Sequence, residues 1–100
     1  MKTMTWKELK EKRLRGNDVL LLDVRSQEEH ARETVPGSLL IPLDQLPSRL
    51  GEMDPARETA VYCHKGLRSA SAVRFLAQNG FQRVANMAGG IAAWPGPEKD

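Results

Sequence analysis

Thr59-Ala60-Val61-Tyr62-Cys63-His64-Lys65-Gly66-Leu67-Arg68-Ser69-Ala70 changes character twice within a few residues. Thr59 to Tyr62 reads as a strand running into Cys63. His64 to Leu67 is a short loop with a central glycine, and a helix is predicted from about Arg68 to Asn79. In that helix Ala72, Val73, Leu76 and Ala77 fall at the three-and-four spacing of a buried stripe, and Gly80 is a natural stop.

The same alternation extends through the chain. Val19-Leu20-Leu21-Leu22-Asp23 is a continuous apolar run bounded by polar residues, the pattern of a strand buried on both faces. Thr5 with Glu8, and Ser26 with Glu29, fit capping boxes, each opening a short helix. The first helix is predicted to end near Gly16 and the second before Pro36-Gly37. Ser38 to Ile41 reads as a short strand and residues 44–53 as a weaker helix, with Pro47 tolerated only in its first turn. Phe81 to Asn86 reads as a last strand, Met87 to Gly90 as a turn, and Ile91 to Trp94 as a helical turn. Alternating strands and helices predict an α/β layer structure with a largely parallel sheet and helices on both faces. Ligands of such sheets bind beyond the carboxyl ends of the strands, where Cys63 is placed.

The chain has 100 residues with 40% hydrophobic and 28% charged side chains, so one globular domain spanning residues 1–100 is expected. The net charge of +2 does not argue for nucleic acid. Its distribution is uneven. Residues 1–58 hold ten basic and eleven acidic side chains, whereas residues 59–97 hold Lys65, Arg68, Arg74 and Arg83 and no carboxylate. A site that receives an anion would explain that field, as would a chance gap in acid usage. The single cysteine permits no internal disulfide, and with only His30 and His64 beside it no zinc site is expected. No apolar stretch suggests a signal peptide or a membrane span. The expectation is a cytoplasmic monomer without membrane or nucleic-acid partners.

The loop after Cys63 has the makings of reactive chemistry. A strand end, a glycine loop and a following helix gather backbone N–H groups and the positive helix terminus around the sulfur. Lys65 and Arg68 add full charges. All of these favour thiolate over thiol. Gly66 permits a backbone conformation closed to other residues. The ordinary alternative is a cysteine that only fills the core.

Cys63-His64-Lys65-Gly66-Leu67-Arg68-Ser69 closely resembles the active-site loop of rhodanese-type sulfurtransferases, Cys-x-x-Gly-x-Arg-Ser. Leu22-Asp23-Val24-Arg25 resembles the family's Asp-Val-Arg segment. Val35-Pro36-Gly37-Ser38 with Ile41-Pro42-Leu43 resembles its Ile-Pro-Gly-Ala…Ile-Pro stretch. Gly89-Gly90-Ile91-Ala92-Ala93-Trp94 resembles its C-terminal Gly-Gly…Trp signature. The motifs follow the family's order along nearly the whole chain. One departure is Glu33-Thr34, where many members have Gly-His.

The resemblance implies a rhodanese-like domain, with a small five-stranded parallel sheet flanked by helices. It implies that Cys63 attacks the outer sulfur of thiosulfate or a persulfide donor. The resulting cysteine persulfide then passes its sulfur to cyanide, a thiol or a sulfur-carrier protein. No cofactor is implied beyond that covalent intermediate. The loop residues His64, Lys65, Gly66, Leu67, Arg68 and Ser69 are the expected substrate- and anion-binding set, with Asp23 and Arg25 supporting them. Arg68 is either an anion ligand or a brace bonded to the loop's own carbonyls. Asp23 pairs with Arg25 or Arg68, or its role is purely structural. Ser69 caps the helix or donates to the persulfide. Trp6 and Trp94 are expected to pack at the core edge. Four residues separate Cys63 from Arg68, one fewer than in related cell-cycle phosphatases, which favours sulfur transfer over a phosphatase or arsenate reductase. A rhodanese-like binding or regulatory module is the other alternative.

Overall fold

Val19–Asp23 forms β2, and every residue in it is buried. An apolar run of that kind is stable only where both faces are covered, and the strand indeed lies inside the sheet. The computed structural model describes residues 1–97, so the charges of Glu98, Lys99 and Asp100 fall outside them. Within that range the elements are β1 (Thr3–Met4), α1 (Trp6–Leu14), β2, α2 (Gln27–Arg32), β3 (Leu39–Leu40), β4 (Glu58–Tyr62), α3 (Leu67–Gln78) and β5 (Val84–Met87). The sheet order is β1-β5-β4-β2-β3, and every neighbouring pair is parallel.

Side chains alternate across the sheet and build a core on each face. On one face Leu20, Leu22, Val61 and Cys63 pack with Ala72, Val73 and Leu76 of α3, the stripe anticipated by helical spacing. On the other, Val19, Leu21, Ala60 and Tyr62 pack with Leu9 of α1 and with the half-buried Trp6 and Trp94. Both tryptophans therefore sit at the core edge. Leu21 and Leu22 are fully buried, each contributing about 1.5–3 kcal/mol of apolar burial.

Both capping boxes form. Thr5 Oγ1 accepts from the Glu8 N–H at 3.1 Å, and Ser26 Oγ accepts from the Glu29 N–H at 3.1 Å. Two expectations about the elements need correction. Residues 44–53 are not one α-helix. They form 3-10 turns at Leu43–Gln45 and Pro47–Glu52, with Pro47 opening the second and non-helical backbone at Arg49. The last strand begins at Val84, not Phe81, and includes Met87; Phe81 reaches the core from outside the sheet. The strand Thr3–Met4 was not anticipated, because two residues carry no periodic pattern. No helix among the described residues is long and apolar enough to cross a membrane.

Candidate active site

Cys63 follows β4 directly at its carboxyl end, and α3 begins four residues later at Leu67. Between them Gly66 takes φ +117°, a left-handed conformation that turns the loop back over the sulfur. The Gly66 N–H then donates to Cys63 Sγ at 3.1 Å. Ser69 Oγ lies 3.3 Å from the same sulfur. Burial pushes the Cys63 thiol up, but hydrogen bonding by the Ser69 hydroxyl and by the backbone N–H groups of Ser69, Gly66 and Arg68 outweighs it, so its pKa is lowered. The sulfur is recessed, since the residue is only 1% exposed.

The bonds beyond the sulfur qualify this picture. Ser69 Oγ donates to Asn86 Oδ1 at 2.6 Å. Asn86 Nδ2 in turn donates to the Gly66 carbonyl at 3.1 Å, which leaves Oδ1 facing Ser69. A hydroxyl has one proton. Asn86 Oδ1 and the Cys63 sulfur therefore compete for that one proton, and the backbone N–H groups favour the thiolate whichever of them takes it. Ser69 is also not the helix cap. Gly66 occupies the N-cap position and Ser69 lies within the first turn of α3.

The floor of the loop is made by the C-terminal glycines. The Ile91 N–H donates to the Cys63 carbonyl at 2.9 Å and the Ala92 N–H to the His64 carbonyl at 3.0 Å. Gly90 makes this approach possible. Its φ is +61°, and a Cβ there would overlap the His64 carbonyl and come within 2.6 Å of the Cys63 oxygen.

Arg68 makes no bond to the loop carbonyls; its guanidinium pairs with a carboxylate of α2 and stays partly exposed. Its Nη1 donates to Glu29 Oε1 at 2.7 Å and its Nη2 to Oε2 at 2.9 Å. The positive stretch of residues 59–97 is thus compensated at the site by a carboxylate of α2. Arg68 holds the Glu29 carboxyl well below its usual range, at about 2. His64, Lys65 and Leu67 are exposed on the rim, Leu67 at 85%.

Asp23 pairs with Arg25, not Arg68. Arg25 Nε and Nη2 reach Asp23 Oδ1 and Oδ2 at 3.0 and 2.9 Å, a bidentate fork. Burial pushes the Asp23 carboxyl up, but the bonds to Arg25 and His30 prevail and lower it. His30 Nδ1 lies 2.9 Å from Asp23 Oδ2 and 3.1 Å from Thr34 Oγ1. Thr34, at the position where the motif departs, also reaches Ser38 and Tyr62. Asp23 and Arg25 therefore anchor the β2 end to α2 and to the chain after it.

Glu29, Asn86 and Gly90 were missed as site residues. Glu29 read as a capping residue, Asn86 as the end of a strand, and Gly90 as part of a turn and of the C-terminal Gly-Gly…Trp signature, with no role at the site. Each also serves a partner far away in sequence, and local patterns carry no signal of that. Among the described residues no cluster of three or more His, Cys, Asp or Glu is placed to hold a metal.

Residues 5–96 match the family model for the rhodanese-like domain. The chain belongs to the rhodanese-like domain family. It is similar to a sulfurtransferase of Allochromatium vinosum, with 42% identity over 77 residues that cover 77% of this chain and 72% of the relative. The crystal structure of a rhodanese-like domain protein from Staphylococcus aureus matches with a TM-score of 0.89 and 39% identity, covering 98% of this chain and 94% of that one. The human single-domain sulfurtransferase matches with a TM-score of 0.85 and 30% identity, covering 99% of each chain.

Proposed function

We propose that this protein is a sulfurtransferase that carries sulfane sulfur on Cys63 as a persulfide. The observation that carries the reading is the sulfur itself, recessed at the carboxyl end of β4 under the Gly66 N–H, with its pKa lowered. Relatives named as sulfurtransferases support the same class of reaction.

In the first half-reaction the Cys63 thiolate attacks the outer sulfur of the donor. The donor's S–S bond breaks, and its electron pair leaves on sulfite or on a thiolate. In the second, a nucleophilic acceptor attacks the outer sulfur of the persulfide and regenerates the thiolate. This is covalent, ping-pong catalysis. The loop N–H groups stabilise negative charge on the sulfur in both states. Cys63 is the single cysteine of the chain, so the acceptor comes from outside it: a thiol, cyanide or a carrier protein. The cycle requires no cofactor.

Steady-state kinetics with varied donor and acceptor test the reading. Parallel double-reciprocal lines are expected, with activity lost in Cys63→Ser. Intersecting lines, or turnover that survives in Cys63→Ser, would refute it. Hydrolysis of an aryl phosphate above the Cys63→Ser level would instead favour a phosphatase.

A further inference from the structure

Arg68 lies in the first turn of α3, after the loop that follows Cys63, near enough for the two charges to act on each other, and its own charge is already matched. Both its terminal nitrogens are engaged by Glu29, at 2.7 and 2.9 Å. Glu29 is not free to swing away. Its Oε1 also accepts from the Ser26 N–H at 3.1 Å, closing the capping box of α2. The carboxylate is thus fixed by its own helix, and Arg68 is fixed by the carboxylate. The Arg68 and Glu29 side chains are 39% and 28% exposed, so a molecule approaching the loop meets both charges.

The surroundings do little to restore a positive field. A cleft of about 480 Å³ runs beside Arg68, with Val24, Pro42 and Leu43 in its wall and Asp44 adding a further carboxylate. Arg25 lines it too, but its charge is spent on Asp23. Lys65 is the exposed cation of the loop itself. A dianion gains from Arg68 about what it loses to Glu29, since the two charges lie within one hydrogen-bond length of each other.

We propose that Glu29 is a specificity-determining residue: by holding Arg68 in a neutral pair near Cys63, it selects a sulfane donor of low charge, a persulfide R–S–SH, over the thiosulfate dianion. The proposal rests on the sulfur-transfer reading. The Cys63 thiolate attacks the outer sulfur of R–S–SH. The R–S–SH bond breaks, a new S–S bond forms to Cys63, the thiolate R–S⁻ leaves with the electron pair, and the proton stays on the transferred sulfur.

Two alkylating probes of nearly equal shape measure the charge at the site without any turnover. Iodoacetate is an anion and iodoacetamide is neutral. The ratio of their rates with Cys63 reports the local field, and any change in thiolate fraction cancels from it. Glu29→Gln keeps an oxygen for the Ser26 cap and removes the charge. It is expected to raise the iodoacetate-to-iodoacetamide ratio by about three- to tenfold at low salt. Arg68→Gln is expected to lower it by a similar factor, and the double variant to return it close to wild type. An unchanged ratio in Glu29→Gln, or a double variant far from wild type, would overturn the proposal. If Glu29→Gln does not fold, the Arg68→Gln and double variants still decide. Persulfide loading by intact mass gives the second arm. Wild type is expected to load faster from an alkyl persulfide than from thiosulfate, with Glu29→Gln gaining selectively on thiosulfate. Faster loading of wild type from thiosulfate would also overturn it. If no donor loads Cys63 while the probe ratios behave as described, the sulfur-transfer reading fails, and with it the donor choice, while the charge pairing stands.

Discussion

The proton of a single hydroxyl governs how Cys63 behaves. Ser69 can donate it to Asn86 Oδ1 at 2.6 Å or to the sulfur at 3.3 Å, and the shorter bond to Asn86 competes with the one to the thiolate. Removing the competing acceptor should therefore release Ser69 to the thiolate. Asn86→Ala is expected to lower the pH midpoint of Cys63 alkylation by about one pH unit, as a hydrogen bond to a charged group warrants. Adding Ser69→Ala to that variant should cancel the drop. A midpoint that stays or rises in Asn86→Ala would show that Asn86 matters only as the tie to Gly66. Cys63, Gly66 and Arg68 were legible in the sequence because they lie in one short loop whose chemistry is local. The role of Asn86 was not, since it depends on β5 lying beside β4. The ion pair of Arg68 was not legible either, since its partner Glu29 lies 39 residues away.

At the scale of elements, the loop is held by two supports distant in sequence. One is α2, which presents Glu29. The other is the 3-10 turn Gly90–Ala93, whose N–H groups take up the Cys63 and His64 carbonyls. Gly90→Ala should break the second support. A left-handed alanine costs about 1–2 kcal/mol and the overlap with the loop backbone adds to it. Urea unfolding should show a loss of at least about 2 kcal/mol, and Cys63 alkylation should lose its lowered midpoint. A variant of wild-type stability would mean that the turn can retreat without cost. Longer elements such as β2 and α3 declared themselves by apolar run or helical spacing. The pieces that failed to do so are short. Two-residue β1 owes its existence to pairing with β5, and the 3-10 turns follow from Pro47 and the packing of Leu46 and Met53.

For the molecule as a whole, the carboxylates that organise the site also tie its stability to pH. Glu29 is lowered to about 2 in the folded protein from an ordinary value of 4.5. A depressed carboxyl stabilises the fold above its unfolded value, and that contribution fades as pH falls from about 4.5 towards 2. Asp23 is lowered as well and acts with the same sign. Urea midpoints measured from pH 6 down to pH 2.5 are expected to fall in wild type. They should fall less steeply in Glu29→Gln, by a modest margin because the Arg68 pair is partly open to solvent. Equal slopes would show that the pair contributes nothing to acid stability. The parallel order of the sheet was anticipated from alternating strands and helices, and its five-strand count from the resemblance. The charge balance at the site was not, because Glu29 and Arg68 meet only once the fold brings α2 to the start of α3.

The most direct test of the central claim is the intact mass of the protein after incubation with a persulfide donor and again after addition of cyanide. The expected result is a gain of one sulfur on wild type, absent in Cys63→Ser, and lost to cyanide with release of thiocyanate. No gain from either a persulfide or thiosulfate, or a gain that persists in Cys63→Ser, would contradict the assignment of Cys63 as the sulfur-carrying nucleophile.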